Sequence, residues 1–179
     1  MRSFLIFDTS AIFNLGERSG GKGEVIIRHL HDEYALLLPP AVKDEVMHDP
    51  PADFDYAALL KQYFTIKAAG PPEEYDDRFR LLSADLDAGE VEVLALGLAV
   101  KSKVVIDEKL ARQAARHLGL EITGTIGLLQ EAVDRQWIEA EAALSRVRAI
   151  NQAGGRLPKI EAAKNWEAYF AQVMERSKA

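Results

Sequence analysis

Ser3-Phe4-Leu5-Ile6-Phe7-Asp8-Thr9-Ser10, close to the start of the chain, is the stretch on which the fold turns. Four consecutive apolar residues followed by a carboxylate and two small hydroxyl residues read as a buried parallel strand that delivers Asp8 to its C-terminal edge. In an open α/β sheet that edge is where ligands bind. An aspartate there can hold a metal ion or act as a nucleophile, or it can simply end the strand. Thr9 and Ser10 are placed to cap a helix running from Ala11 to Leu15.

Lys103-Val104-Val105-Ile106-Asp107-Glu108 repeats this logic, an apolar run carrying an acid to its end. If the two strands are neighbours, Asp8 and Asp107 stand side by side. Between them lie two further acids of interest. Ala35 to Leu38 reads as a strand stopped by Pro39-Pro40, and a proline in the first turn suits the start of a helix over Ala41 to His48. Glu45 lies four residues after Ala41 and three after Val42, so it can face the mouth of the sheet, a surface position being the alternative.

The segment Leu86-Asp87-Ala88-Gly89-Glu90-Val91-Glu92 opens a long apolar helix. Asp87 followed three residues later by Glu90 matches a capping box, which accounts for both acids structurally. Gly89 is a poor residue for a first turn unless something approaches the backbone there. Glu90 and Glu92 lie about 200° apart around a helix axis, so one of them faces the site, and Glu90 in the first turn is the choice.

The remaining chain supplies supporting elements. Helices are expected over Glu24–His31, Phe54–Gln62, Glu73–Ala84, Lys109–Leu118, Ile126–Asp134, Ala140–Ala153 and Pro158–Ser177, with short strands over Tyr63–Ile66 and Leu120–Thr125. Ser19-Gly20-Gly21-Lys22-Gly23 lacks the spacing of a phosphate-binding loop. His29 and His31, two apart on a helix, fall on different faces and make poor joint ligands. Lys109, Arg112 and Arg116 share one face, either a solvated row or a hold on a phosphate backbone. Trp166, Tyr169, Phe170 and Val173 form an apolar stripe that must be buried, on the domain or on a second chain.

With 179 residues, 48% of them hydrophobic and 28% charged, the chain has enough material for one α/β domain with an appendage. It has no cysteine, so a metal must be held by oxygen or imidazole. No apolar run reaches the ~18 residues of a membrane span, and Asp8 interrupts the first one, so a cytoplasmic protein without membrane contact is expected. The net charge of −6 argues against a globally basic nucleic-acid binder and suggests that any protein partner is basic. It leaves open an enzyme whose acids, loaded with divalent metal, attract phosphate locally.

Four carboxylates, Asp8, Glu45, Glu90 and Asp107, are thus expected at one edge of a sheet. Brought close they repel, and need raised pKa values or a cation among them. All-oxygen ligands suit Mg²⁺ or Mn²⁺, which could activate a water and stabilise charge developing on a phosphodiester.

At these residues the chain resembles the PIN-domain family. The matching pieces are Asp8-Thr9-Ser10, Glu45 within Lys43-Asp44-Glu45-Val46, Leu86 to Glu92, Val105-Ile106-Asp107-Glu108 with Ala111-Arg112, and Thr123-Gly124-Thr125-Ile126-Gly127-Leu128-Leu129. The resemblance implies a three-layer α/β/α fold with a central, mostly parallel sheet, as a nuclease domain over residues 1–138. Residues 139–179 are then a C-terminal helical tail packing on the domain or on the partner of a homodimer. It implies an Mg²⁺- or Mn²⁺-dependent endoribonuclease acting on RNA, in many relatives the toxin of a toxin-antitoxin pair held by a small antitoxin protein. Carried over by position, Asp8, Glu45, Glu90 and Asp107 are the catalytic, metal-binding quartet, with Thr9 and Ser10 in support. Many relatives have a single aspartate where this chain has Gly-Glu-Val-Glu, so Glu92 or Asp87 can share the third role, and Glu108 can be an outer ligand. The rival readings are an inactive RNA- or protein-binding module of the same fold, and a phosphatase using Asp8 as nucleophile. The last lacks a second aspartate two residues on, where Ser10 stands.

Overall fold

The computed structural model describes residues 2–16, 23–48, 50–51, 54–70, 75–152 and 166–176. The loop 17–22, the opening residues of the expected Glu73–Ala84 helix, and the expected helical residues 153, 158–165 and 177 lie outside these.

A five-stranded parallel sheet forms the middle layer of an α/β/α architecture. Its strands are β1 (Phe4–Phe7), β2 (Ala35–Leu38), β3 (Phe64–Ile66), β4 (Lys103–Val105) and β5 (Ile122–Thr123). Their order across the sheet is β3-β2-β1-β4-β5. The chain winds from β1 outward through β2 to β3, then crosses back to lay β4 on the other side of β1. β1 and β4 therefore flank the point where the winding reverses, and ligands of open α/β sheets bind outside the carboxyl ends of such strands. Phe7 pairs with Val105 in register, so the residues that follow them leave the sheet together.

The strands form because their apolar runs are buried on both faces: Leu5, Ile6 and Phe7 are 0–1% exposed, as are Leu36 and Leu38. Ten helices are described: α1 (Thr9–Leu15), α2 (Gly23–Glu33), α3 (Pro40–His48), α4 (Tyr56–Tyr63), α5 (Asp77–Ser83), α6 (Ala88–Val100), α7 (Lys109–His117), α8 (Thr125–Asp134), α9 (Ala140–Gln152) and α10 (Trp166–Arg176). Two begin later than their composition suggests, each because an aspartate caps it. Asp55 accepts from the Ala58 N–H at 2.9 Å, so α4 starts at Tyr56 and runs through Tyr63. Asp76 accepts from the Phe79 N–H at 2.7 Å, so α5 starts at Asp77.

Ala143, Leu144 and Val147 of α9 and Phe170 of α10 belong to the same buried cluster as the central strands. Arg146 of α9, itself buried, donates to the Gly16 carbonyl at 2.6 Å. Tyr169, half-buried, meets Phe170 edge to face, the ring centroids 5.2 Å apart. Among the described residues no helix is long and apolar enough to cross a membrane.

Candidate functional site

Asp8 leaves β1 with its backbone N–H bonded to the Val105 carbonyl at 3.0 Å, which fixes it beside the end of β4. It is 3% exposed and takes the N-cap position of α1 without its side chain capping the helix. The expected capping by Thr9 and Ser10 is therefore corrected. Both lie in the first turn of α1, because Asp8 already occupies the cap with extended backbone. Ser10 instead donates its hydroxyl to Asp8 Oδ2 at 2.5 Å, and Thr9 donates its hydroxyl to Glu45 Oε2.

Asp107, 4% exposed, is held from three directions. The Thr125 N–H donates to its Oδ1 at 2.8 Å, and the Thr125 hydroxyl donates to Oδ2. Asn14 of α1 donates to the same Oδ2 at 2.9 Å. Gly124 lets this close packing happen: a β-carbon there would stand 2.6 Å from Asp107 Oδ1 and 2.8 Å from Arg112 Nη1.

The N-terminus of α6 completes the acidic edge. Asp87 and Glu90 form the capping box read from the sequence: Glu90 N–H donates to Asp87 Oδ1 at 2.8 Å, and Asp87 N–H to Glu90 Oε2 at 3.2 Å. Glu45 enters from α3 and accepts from the Gly89 N–H at 3.0 Å. Gly89 is thus a glycine because the Glu45 carboxylate lies against its backbone, as its place in a first turn suggests. Glu92 faces elsewhere, accepting from the Ala41 N–H at 2.8 Å. Glu108 is half-buried at the N-cap of α7.

The electrostatics are those of crowded acids out of water. Burial pushes Asp8 up to about 6, against the lowering effect of the Ser10 hydroxyl and the Thr9 N–H, with Asp87 and Asp107 adding repulsion. Burial pushes Glu90 up to about 7, with Asp87 the next cause and Asp8 and Glu108 contributing. The mutual repulsion places Asp8, Asp87, Glu90, Asp107 and Glu108 within one electrostatic neighbourhood. Among the described residues, no group of three or more acidic or histidine side chains is arranged to enclose a metal ion as it stands.

The basic row on α7 is also corrected. Lys109 and Arg116 are exposed, but Arg112 turns inward and donates Nη1 to the carbonyls of Ile106 at 2.6 Å and Thr123 at 3.0 Å. The Thr123 carbonyl, which already accepts from the Ile106 N–H at 3.1 Å, has a second lone pair for the guanidinium, which so braces the ends of β4 and β5.

Asn14 was not singled out in the sequence, and Thr125 only as part of the Thr123–Leu129 motif, without a role at the site. A signal existed for each. Asn14 lies four residues after Ser10, on the same face of the helix that Asp8 opens. Thr125 follows the strand beside β4, two residues beyond Thr123, whose partner is Val105.

The chain matches the PIN-domain family profile over residues 4–165. Among solved structures it is similar to a PilT N-terminus domain protein from the hyperthermophilic archaeon Sulfolobus solfataricus P2. That pair shares 15% identity over 73% of this chain and 93% of that one, with a TM-score of 0.49. No curated protein matches. With nine-tenths of its length in that profile, the chain belongs to the PIN-domain family, whose fold is that of nucleases.

Proposed function

We propose that this protein is a metal-dependent endoribonuclease that hydrolyses RNA phosphodiester bonds at the C-terminal edge of its sheet. One observation carries the reading: two buried aspartates, Asp8 and Asp107, leave adjacent central strands at the reversal of the winding, with a third buried acid, Glu90, beside them.

The donor set fits a hard divalent cation. All its side-chain atoms are carboxylate or hydroxyl oxygens, and the two most perturbed acids are held in a state that a nearby positive charge would relieve. Asp8 and Asp107, joined by Glu90, would hold Mg²⁺ or Mn²⁺, which when bound supplies Lewis-acid stabilisation and an activated water. The chain's own residues prepare the site. Ser10 fixes the rotamer of Asp8, while Asn14 and Thr125 fix that of Asp107. Lys109 and Arg116, exposed on the helix that follows Asp107, are available to the phosphates of a strand laid across the mouth. A small protein partner that shields the acids, as in a toxin-antitoxin pair, is part of the proposal, as is a cytoplasmic location.

The test is cleavage of a mixed RNA substrate with Mg²⁺ or Mn²⁺ against EDTA. Asp8→Asn and Asp107→Asn, checked for folding by circular dichroism, should each abolish it. Unchanged cleavage in either folded variant refutes the assignment.

A second reading, an inactive PIN-type module that binds RNA or protein, is favoured by one observation: Glu45, Glu90 and Asp107 are all satisfied by internal donors. Saturable RNA binding without cleavage in Mn²⁺ would select it.

A further inference from the structure

Glu45 and Glu92 play mirrored parts. α3 and α6 pack along each other, and each lends a glutamate to the other's N-terminus: Glu92 of α6 accepts from the Ala41 N–H at 2.8 Å, and Glu45 of α3 accepts from the Gly89 N–H at 3.0 Å. The first N–H groups of a helix have no partner within it, so each carboxylate satisfies an otherwise open donor and meets the positive end of a helix dipole. Nothing about Ala41 suggests chemistry, so there the device is a helix-to-helix latch. At Gly89 it is the same latch set in the mouth of the site.

The fit at Gly89 is tight. A β-carbon there would stand 2.6 Å from both oxygens of Glu45. Oε1 takes the Gly89 N–H, and Oε2 takes the Thr9 hydroxyl, one residue after Asp8. The carboxylate thereby ties three elements together: α3, the first turn of α6 that carries Glu90, and the first turn of α1 that begins at Asp8. Both of its oxygens are engaged in doing so.

We infer that Glu45 is a positioning residue, which locks α3 and α1 to the N-terminus of α6 so that Glu90 and Asp8 open onto the same space, work done by its shape and hydrogen bonds and not by its charge. The inference rests on the metal-dependent reading above and gives a part to Glu45, the acid of the resemblance's quartet that this reading leaves without one. A glutamine can keep the latch, since its carbonyl accepts from Gly89 and its amide can donate to the Thr9 oxygen. It cannot replace an anionic ligand. An alanine at Glu45, or a side chain at Gly89, breaks the latch.

The experiment is Mn²⁺ binding by isothermal titration calorimetry to wild type, Glu45→Gln, Glu45→Ala, Gly89→Ala and Thr9→Val. Hydrogen exchange of the Gly89 amide is followed in the metal-free proteins. For a positioning role, Glu45→Gln should bind Mn²⁺ within about threefold of wild type, whereas Glu45→Ala and Gly89→Ala weaken it about 10- to 100-fold, as loss of outer support does. Thr9→Val should fall between, and serves if Gly89→Ala does not fold. Glu45→Gln binding as poorly as Glu45→Ala makes Glu45 a ligand and overturns the inference. If wild type takes up no Mn²⁺, the metal-dependent reading fails, and the exchange data alone decide. Gly89 protection kept in Glu45→Gln and lost in Glu45→Ala supports the latch, and protection unchanged in Glu45→Ala refutes it.

Discussion

Asn14 Nδ2 lies 2.9 Å from Asp107 Oδ2, so the helix that leaves one central strand holds the acid that ends the next. Together with the Thr125 hydroxyl on the same oxygen, it fixes a carboxylate that burial would otherwise leave free to rotate. Asn14→Ala should lower the unfolding free energy by about 1.5–3 kcal/mol, the range for a hydrogen bond to a carboxylate. Urea denaturation at neutral pH reads it. The same variant should weaken Mn²⁺ binding, and an Asn14→Ala protein as stable and as tight as wild type would remove the tether from the argument.

Asp8 and Glu90 make the metal-free protein less stable as pH rises from acid to neutral. A carboxyl whose native value is raised binds its proton more tightly folded than unfolded. Its contribution is full below the unfolded value and is lost as pH rises through the native one. For Asp8 the loss spans 3.8 to about 6, and for Glu90 4.5 to about 7. For Asp8 the full effect is about 3 kcal/mol. Asp8→Asn should therefore gain stability over wild type at pH 8 and gain little at pH 4, with EDTA present throughout. Equal gains at both pH values would contradict the buried-acid account.

Under the metal-dependent reading proposed above, a cation competes with these protons. Mn²⁺ should raise the melting temperature more at pH 8 than at pH 5.5, where Asp8 and Glu90 are largely protonated, because ligands bind metal in their ionised form. EDTA should reverse the shift. Calorimetry showing a shift independent of pH would point to a binding site elsewhere.

Gly124→Ala should damage the site without any backbone strain, since Gly124 has φ −150°, which every residue adopts. Its new methyl would meet Asp107 Oδ1, Arg112 Nη1 at 2.8 Å and the Ile106 carbonyl at 3.0 Å, two of them fixed in the brace at the ends of β4 and β5. A loss of about 1–3 kcal/mol is expected for such overpacking, with a matching fall in Mn²⁺ affinity. Retained stability and affinity would mean that the cradle yields more easily than its contacts imply.

What could be read from the residues followed from local physics. The apolar runs before Asp8 and Asp107 have no other use than as buried strands, and Asp87 with Glu90 satisfies donors within four residues of itself. The strands and the capping box emerged on that basis, while the family came from the resemblance of the motifs that carry the acids. Arg112 did not, because its inward turn depends on two carbonyls at the ends of β4 and β5 that become neighbours only in the folded sheet. Thr9 and Ser10 were misread as caps for a similar reason. Their hydroxyls answer to Glu45, thirty-six positions away, and to Asp8, and not to the helix they begin. Asn14 shares a helix face with Ser10, but that it and Thr125 meet on Asp107 depends on the strand order, which the amino-acid pattern does not contain.

The strand order also sets a timetable for synthesis. β1 emerges from the ribosome first, but its neighbour β4 begins at Lys103, and Thr125, which grips Asp107, comes later still. Until most of the polypeptide has been released, Asp8 has no Asp107 beside it. Contacts so far apart along the chain are slow to close. A nascent chain therefore carries Asp8 out of the ribosome well before the acidic edge it belongs to can be assembled.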